Sequence, residues 1–225
     1  MDIILALTKE LNVEKWQVEA AVKLIDEGNT IPFISRYRKE ATGALNDEVL
    51  RNLNDRLTYL RNLEEKKTQV LSSIEEQGKL TEELKKQILE AQTLVVVEDL
   101  YRPYRPKRRT RATIAKEKGL EPLANIILLQ MTDKSLEEEA KAFVSEEKEV
   151  TTVEDAISGA KDIVAESISD KADYRSEIRE RTFRKGMLVS TAKKPEETSV
   201  YEKYYEYEER VEKMPGHRVL AINRG

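Results

Sequence analysis

The chain has 225 residues, of which 39% are hydrophobic and 36% charged, with one His, no Cys and a net charge of −4. That length holds one or two domains with a core, and the charge density with only eight Gly and six Pro favours helices with long solvated faces over a strand-rich sandwich. Without Cys there are no disulfides or thiolate metal sites, no apolar run approaches the ~20 residues that cross a bilayer, and the start Met1-Asp2-Ile3-Ile4-Leu5 lacks a basic secretory leader, so a cytoplasmic protein with no membrane contact is expected.

In chain order, Asn12 fits the N-cap of a helix whose apolar positions Val13, Trp16, Ala20 and Leu24 follow helical spacing, with Gly28 placed to end it. Pro32 suits the first turn of a short second helix, in which Phe33, Ile34 and Tyr37 are apolar and Arg36, Arg38 and Lys39 basic. The pair reads either as a helix-turn-helix unit or as a plain helical hairpin with solvated basic residues. The longest element should run from Asn46 to Gln77 and stop at Gly78, with Leu50, Leu53, Leu57, Leu60, Val70, Leu71 and Ile74 as an apolar stripe interrupted at Glu64 and Lys67. Thr81 caps a further helix ending in Leu94-Val95-Val96-Val97, a β-branched run read as a buried helix end.

Pro103 and Pro106 predict an extended loop over residues 101–111. Helices follow over residues 120–131, 136–144 and 153–168, the third starting with a capping box of Thr152 and Asp155. A charged helix over 174–185 ends at Gly186, residues 193–198 form a linker, and residues 201–211 read as helix with Pro215-Gly216 beyond. The expected fold is all-α: an irregular multi-helix bundle with a helix-turn-helix-like start and one long helix. Its expected divisions are residues 1–78, 79–190 carrying the basic loop, and 191–225.

Candidate catalysis is thin. His217 has no second imidazole, so neither a His-based triad nor a His metal cluster can form. The paired glutamates read as solvated helix faces, and no Gly-rich phosphate loop is present. The expectation is no catalytic residues, no metal, no cofactor and no enzymatic activity of its own. By contrast, residues 100–118 hold eight basic residues and one acid, Glu117, a local charge of +7 that leaves −11 for the remainder. In this run Arg102, Arg105, Lys107, Arg108, Arg109 and Arg111 suit phosphate, and Tyr101 and Tyr104 offer ring faces for base stacking. Equally open is a structural role, with the arginines paired to the acidic helices.

Four stretches resemble the bacterial Tex family of transcription accessory proteins. They are Thr30-Ile31-Pro32-Phe33-Ile34-Ser35-Arg36-Tyr37-Arg38-Lys39-Glu40-Ala41-Thr42-Gly43, then residues 98–115 around Tyr101-Arg102-Pro103-Tyr104-Arg105-Pro106-Lys107-Arg108-Arg109, then Ser158-Gly159-Ala160-Lys161-Asp162-Ile163-Val164-Ala165-Glu166, and finally Met214-Pro215-Gly216-His217-Arg218-Val219-Leu220 with its neighbours. The resemblance implies an all-helical N-terminal region, with RNase-H-like, helix-hairpin-helix and OB-fold RNA-binding domains expected beyond Gly225. It implies nucleic acid, RNA or DNA, as a partner, chiefly through those further domains, in a transcription accessory role. Two departures are Gly216, where relatives usually carry Ser, and the acidity of residues 202–209. The alternative to a nucleic-acid module is a helical scaffold that docks RNA polymerase or other transcription machinery.

Overall fold

The computed structural model describes residues 2–106 and 108–224. Asp2 accepts a hydrogen bond from the Leu5 amide and starts α1 (Ile3–Leu11), whose single fully buried side chain is Leu7. Asn12 is therefore not an N-cap but the left-handed residue that closes α1, at φ 52°. No helix is expected over residues 3–11 from the sequence, although Asp2 is a helix-capping residue type and the apolar positions follow helical spacing. The cap of α2 (Lys15–Asp26) is Glu14, whose amide donates to Gln17 Oε1 at 3.0 Å.

After α2 the amides of Gly28 and Asn29 donate to the carbonyls of Ile25 and Leu24, and Gly28 takes a φ of 84° that a side chain would resist. The turn leads into α3 (Ile31–Tyr37), with Pro32 in its first turn. Asn46 accepts from the Val49 amide at 2.8 Å and opens α4 (Asp47–Glu76), 30 residues and about 45 Å long. One face of α4 buries Leu50, Leu53, Leu57, Leu60, Leu63, Lys67, Val70 and Ile74. Helices α1, α2 and α3 pack on it, as do α5 (Glu82–Glu90) and α6 (Leu94–Tyr101). Each buried leucine contributes about 2 kcal/mol gross, so α4 is the spine of this part.

The valine run is helical, yet it starts a helix rather than ending one. Ala91 leaves helical geometry, and Thr93 caps α6 through the Val96 amide. Only Val97 of the three valines is buried. The loop expected over residues 101–111 is much shorter. Tyr101 ends α6, residues Arg102–Tyr104 form one 3-10 turn, and Thr110 caps α7 (Arg111–Glu117). Pro103 is tolerated because it falls in this tight turn, where its fixed φ fits.

The chain divides into two compact units, Met1–Tyr104 and Arg105–Gly225. In the second, α10 (Val153–Asp170) packs against α7, α8 (Glu121–Leu129) and α9 (Leu136–Ala140). Its core consists of Ala112, Ala115, Leu120, Leu123, Ala124, Ala140, Val150, Ala156, Ala160 and Ile163. The capping box of Thr152 and Asp155 is present, the Asp155 amide donating to Thr152 Oγ1 at 3.0 Å. The helix expected over 136–144 stops at Ala140, followed by a 3-10 turn and a Ser145–Val150 bridge. Helix α11 (Ala172–Lys185) leads into strand β1 (Met187–Thr191), antiparallel to β2 (Glu206–Arg210) with Met187 opposite Arg210 and Thr191 opposite Glu206.

Residues 201–211 are thus not helical. A 3-10 turn (Glu202–Tyr204) precedes β2, because pairing with β1 overrides the local helix preference of the glutamates. Helix α12 (Gly216–Arg224) follows, tied to β2 by Arg218 Nη1 and Glu209 Oε1 at 2.7 Å. Twelve α-helices and one two-stranded sheet among the described residues make the fold mostly α, as the sequence implies.

Candidate nucleic-acid interface

The expected basic residues fall in three places. In the second unit, Arg105 and Arg108 are exposed, and among the described residues no ion pair engages either. Arg109 Nη2 lies 2.6 Å from Glu117 Oε2, and Arg111 Nε lies 3.9 Å from Asp162 Oδ1 with its side chain 86% exposed. The segment ends at Thr110, which caps α7 and also donates to Glu166 Oε1 of α10 at 3.2 Å, so its C-terminal end is fixed to the core. Lys107 lies outside the described residues. Beside Arg111 a cavity of about 290 Å³ runs along α10, but Glu149, Asp155 and Asp162 balance Arg111 and Lys118 in its lining. It is no anion pocket.

Tyr101, Arg102 and Tyr104 belong to the first unit. The Tyr101 hydroxyl is 3.0 Å from Ser73 Oγ, and Lys66 Nζ sits 5.9 Å from its ring centre. The Tyr104 carbonyl accepts from Gln77 Nε2 at 3.0 Å, and both rings pack against the core around α4. Both tyrosines are half-buried. Arg102 is exposed and already engaged within the fold.

Arg36, Arg38 and Lys39 sit at the end of α3 and in the loop beyond it. All three are exposed, and among the described residues no carboxylate pairs with them. The Arg38 guanidinium lies 5.2 Å from the Phe33 ring centre, and the rings of Phe33 and Tyr37 are 5.3 Å apart. The loop is pinned. Thr42 is buried, its amide and Oγ1 both donate to the Arg38 carbonyl, and the Ala44 amide donates to the Lys39 carbonyl at 2.7 Å. From α2, Gln17 Nε2 donates to the carbonyls of Thr42 and Gly43 at 3.2 and 3.1 Å.

Gly43, at φ 60°, completes the clamp: a Cβ there would lie 2.5 Å from the Trp16 ring and 2.6 Å from Gln17 Nε2. Sequence reasoning found the cations here but not the exposed aromatic pair or the clamp. The i, i+4 spacing of Phe33 and Tyr37 was the available signal, since Ile34 turns to the core and leaves both rings on the far side.

Among the described residues, no group of three or more His, Asp or Glu side chains is placed to hold a metal ion, and no helix is long and apolar enough to cross a membrane. His217 stands in α12.

Residues 1–75 match the family described as Tex-like protein N-terminal domain, and residues 132–225 match the Tex central region-like family. A Bacillus subtilis protein, YdcI, is 49% identical over 97% of the chain and 31% of its own length. The transcriptional accessory protein Tex of Neisseria gonorrhoeae is 42% identical over 100% of the chain and 30% of its own length. The human S1 RNA-binding domain-containing protein 1 is 30% identical over 100% of the chain and 23% of that protein. The chain therefore spans about a third or less of the curated relatives it matches. With both family regions matched in order, and a Tex protein similar over the whole chain, the chain belongs to the Tex family.

Proposed function

We propose that the chain is a non-catalytic, nucleic-acid-contacting module of a cytoplasmic transcription accessory protein, and that residues 105–111 of the second unit meet the phosphate backbone. The observation that carries this reading is the exposure of Arg105 and Arg108 with no carboxylate partner among the described residues. Two exposed arginines without a carboxylate partner among the described residues, in a chain whose remainder is acidic, are a local positive field for phosphate. The names of two relatives, a transcriptional accessory protein and an S1 RNA-binding domain protein, support the same direction.

The scaffold reading, with docking to RNA polymerase or other transcription machinery, draws on Arg109 and Arg111, which lie beside Glu117 and Asp162. A salt titration of binding to duplex and single-stranded RNA and DNA separates the two. If phosphate contact holds, Arg105→Ala and Arg108→Ala each flatten the duplex salt slope by about 0.9 and leave the melting temperature unchanged. Unaltered binding by both variants overturns the phosphate role and leaves the scaffold.

A further inference from the structure

We infer that α3 and the loop after it form a second contact surface, in the first unit, that takes single-stranded nucleic acid by stacking a base on Tyr37, beside the Phe33 ring that Arg38 covers, while Arg36, Arg38 and Lys39 hold the backbone phosphates. This inference rests on the proposed nucleic-acid role and not on the arginines of residues 105–111.

Four observations meet at this surface. Tyr37 is 67% exposed and Phe33 36% exposed, one helical turn apart on the solvent face of α3. Large aromatic rings left in water adjacent to one another mark a binding face, since their burial elsewhere is worth more than most side chains. Next, the cations are available: Arg36, Arg38 and Lys39 have no carboxylate partner among the described residues, and Glu40 is the only acid among the residues lining the cleft of about 470 Å³ that they form with Tyr37 and Ala41.

The third observation is the order of the parts. Arg38 lies over Phe33 rather than over Tyr37, so one ring already carries a guanidinium and the other keeps its exposed face open. Alternation of rings and guanidinium planes is what a single strand with splayed bases needs, and a duplex, whose bases are stacked inside, cannot use it. Finally, the backbone under the cations is held by the Thr42, Ala44 and Gln17 hydrogen bonds and by Trp16 against Gly43. Little backbone order is left to be lost on binding, which favours affinity. An acidic protein segment would use the cations but gain little from two adjacent flat rings, so the strand is the better fit.

The test uses the whole chain and three fluorescent probes: a short oligouridylate, an RNA duplex of equal length and an oligoglutamate peptide. Tyr37→Leu should weaken oligouridylate binding about tenfold and leave duplex binding within a factor of two. Arg36→Ala and Arg38→Ala should each flatten the single-strand salt slope by about 0.7. Tyr37 is largely exposed, so circular dichroism melting of Tyr37→Leu should match the parent, and Tyr37→Trp, which keeps a ring, should retain single-strand affinity even if the Leu variant melts early. Oligouridylate affinity unchanged in Tyr37→Leu, or equal losses for strand and duplex, overturns the stacking role. Loss of oligoglutamate binding alone assigns the surface to a protein partner and also overturns it. The Arg105→Ala and Arg108→Ala variants report on the other segment, so either surface can fail while the other stands.

Discussion

Lys67 Nζ donates to Glu64 Oε1 at 2.8 Å and to the Leu89 carbonyl at 2.9 Å, while the Lys67 side chain is only 2% exposed. The one charged residue in the buried stripe of α4 thus ties that helix to the last turn of α5, where a carbonyl lacks an intrahelical donor.

Removing Glu64 leaves the buried ammonium with only a neutral acceptor, and such uncompensated charge is expensive. Glu64→Ala should destabilise the first unit by about 3 kcal/mol. Glu10→Ala, which breaks the more exposed Glu10–Arg56 pair, should cost under ~1 kcal/mol. Urea unfolding of both variants provides the comparison, and equal costs would mean that burial of Lys67 carries no penalty.

Acid should act on the same unit. The Arg56 side chain, hydrogen-bonded to Glu10, holds its carboxyl below the ordinary value, and Arg61 does the same to Asp26. At Glu64, burial pushes the carboxyl up most strongly, but the hydrogen bond from Lys67 and charge interactions outweigh it and the net shift is downward. A carboxyl that ionises more readily folded than unfolded stabilises the fold fully above its unfolded pKa, and that stability is lost as pH falls through the folded pKa. Melting temperature should therefore be flat above the ordinary carboxylate range and drop below it. Asp26→Asn and Glu10→Gln should each make that acid-side drop shallower.

Gly43→Ala should lower the melting temperature of the first unit and cost on the order of 1–3 kcal/mol. The new methyl meets Trp16 and Gln17 at 2.5 and 2.6 Å, and the residue is held at φ 60°. Thermal unfolding measures the cost, and a neutral substitution would show that the loop after α3 is not clamped.

Gly159→Val should damage the second unit instead. A Cβ at Gly159 would run into Leu120 Cδ1 and stand 3.3 Å from the Ala115 Cβ, where α10 crosses α7. Overpacking of this kind costs about 1–3 kcal/mol. Calorimetry should show the second unit melting earlier with the first unchanged.

The legible parts of the fold were those written in local chemistry. Asn46, Thr81 and Thr152 announce helix starts by side-chain type, and the leucine spacing of α4 follows from 3.6 residues per turn. What stayed hidden depends on distant partners. Residues 206–210 carry no strand signature beyond the alternation of Tyr207 with exposed neighbours, and become a strand only because residues 187–191 pair with them. Exposure is hidden for the same reason: Phe33, Ile34 and Tyr37 look equally apolar until α4 claims Ile34. At the candidate site the arginines were visible as a run, but their pairing was not, since Glu117 and Asp162 are only two among many acids.

The clamp on the loop after α3 also makes the molecule its own reporter. Trp16 is the single tryptophan of the chain, half of its surface is in solvent, and it lies against Gly43. Its emission colour therefore follows the wetness of one spot in the first unit, and the second unit has no indole to blur it. Gly43→Ala should shift that emission at rest, whereas Gly159→Val should leave it untouched until the first unit itself unfolds. Quenching of the same indole by oligouridylate, without any attached dye, would register a strand arriving beside α3.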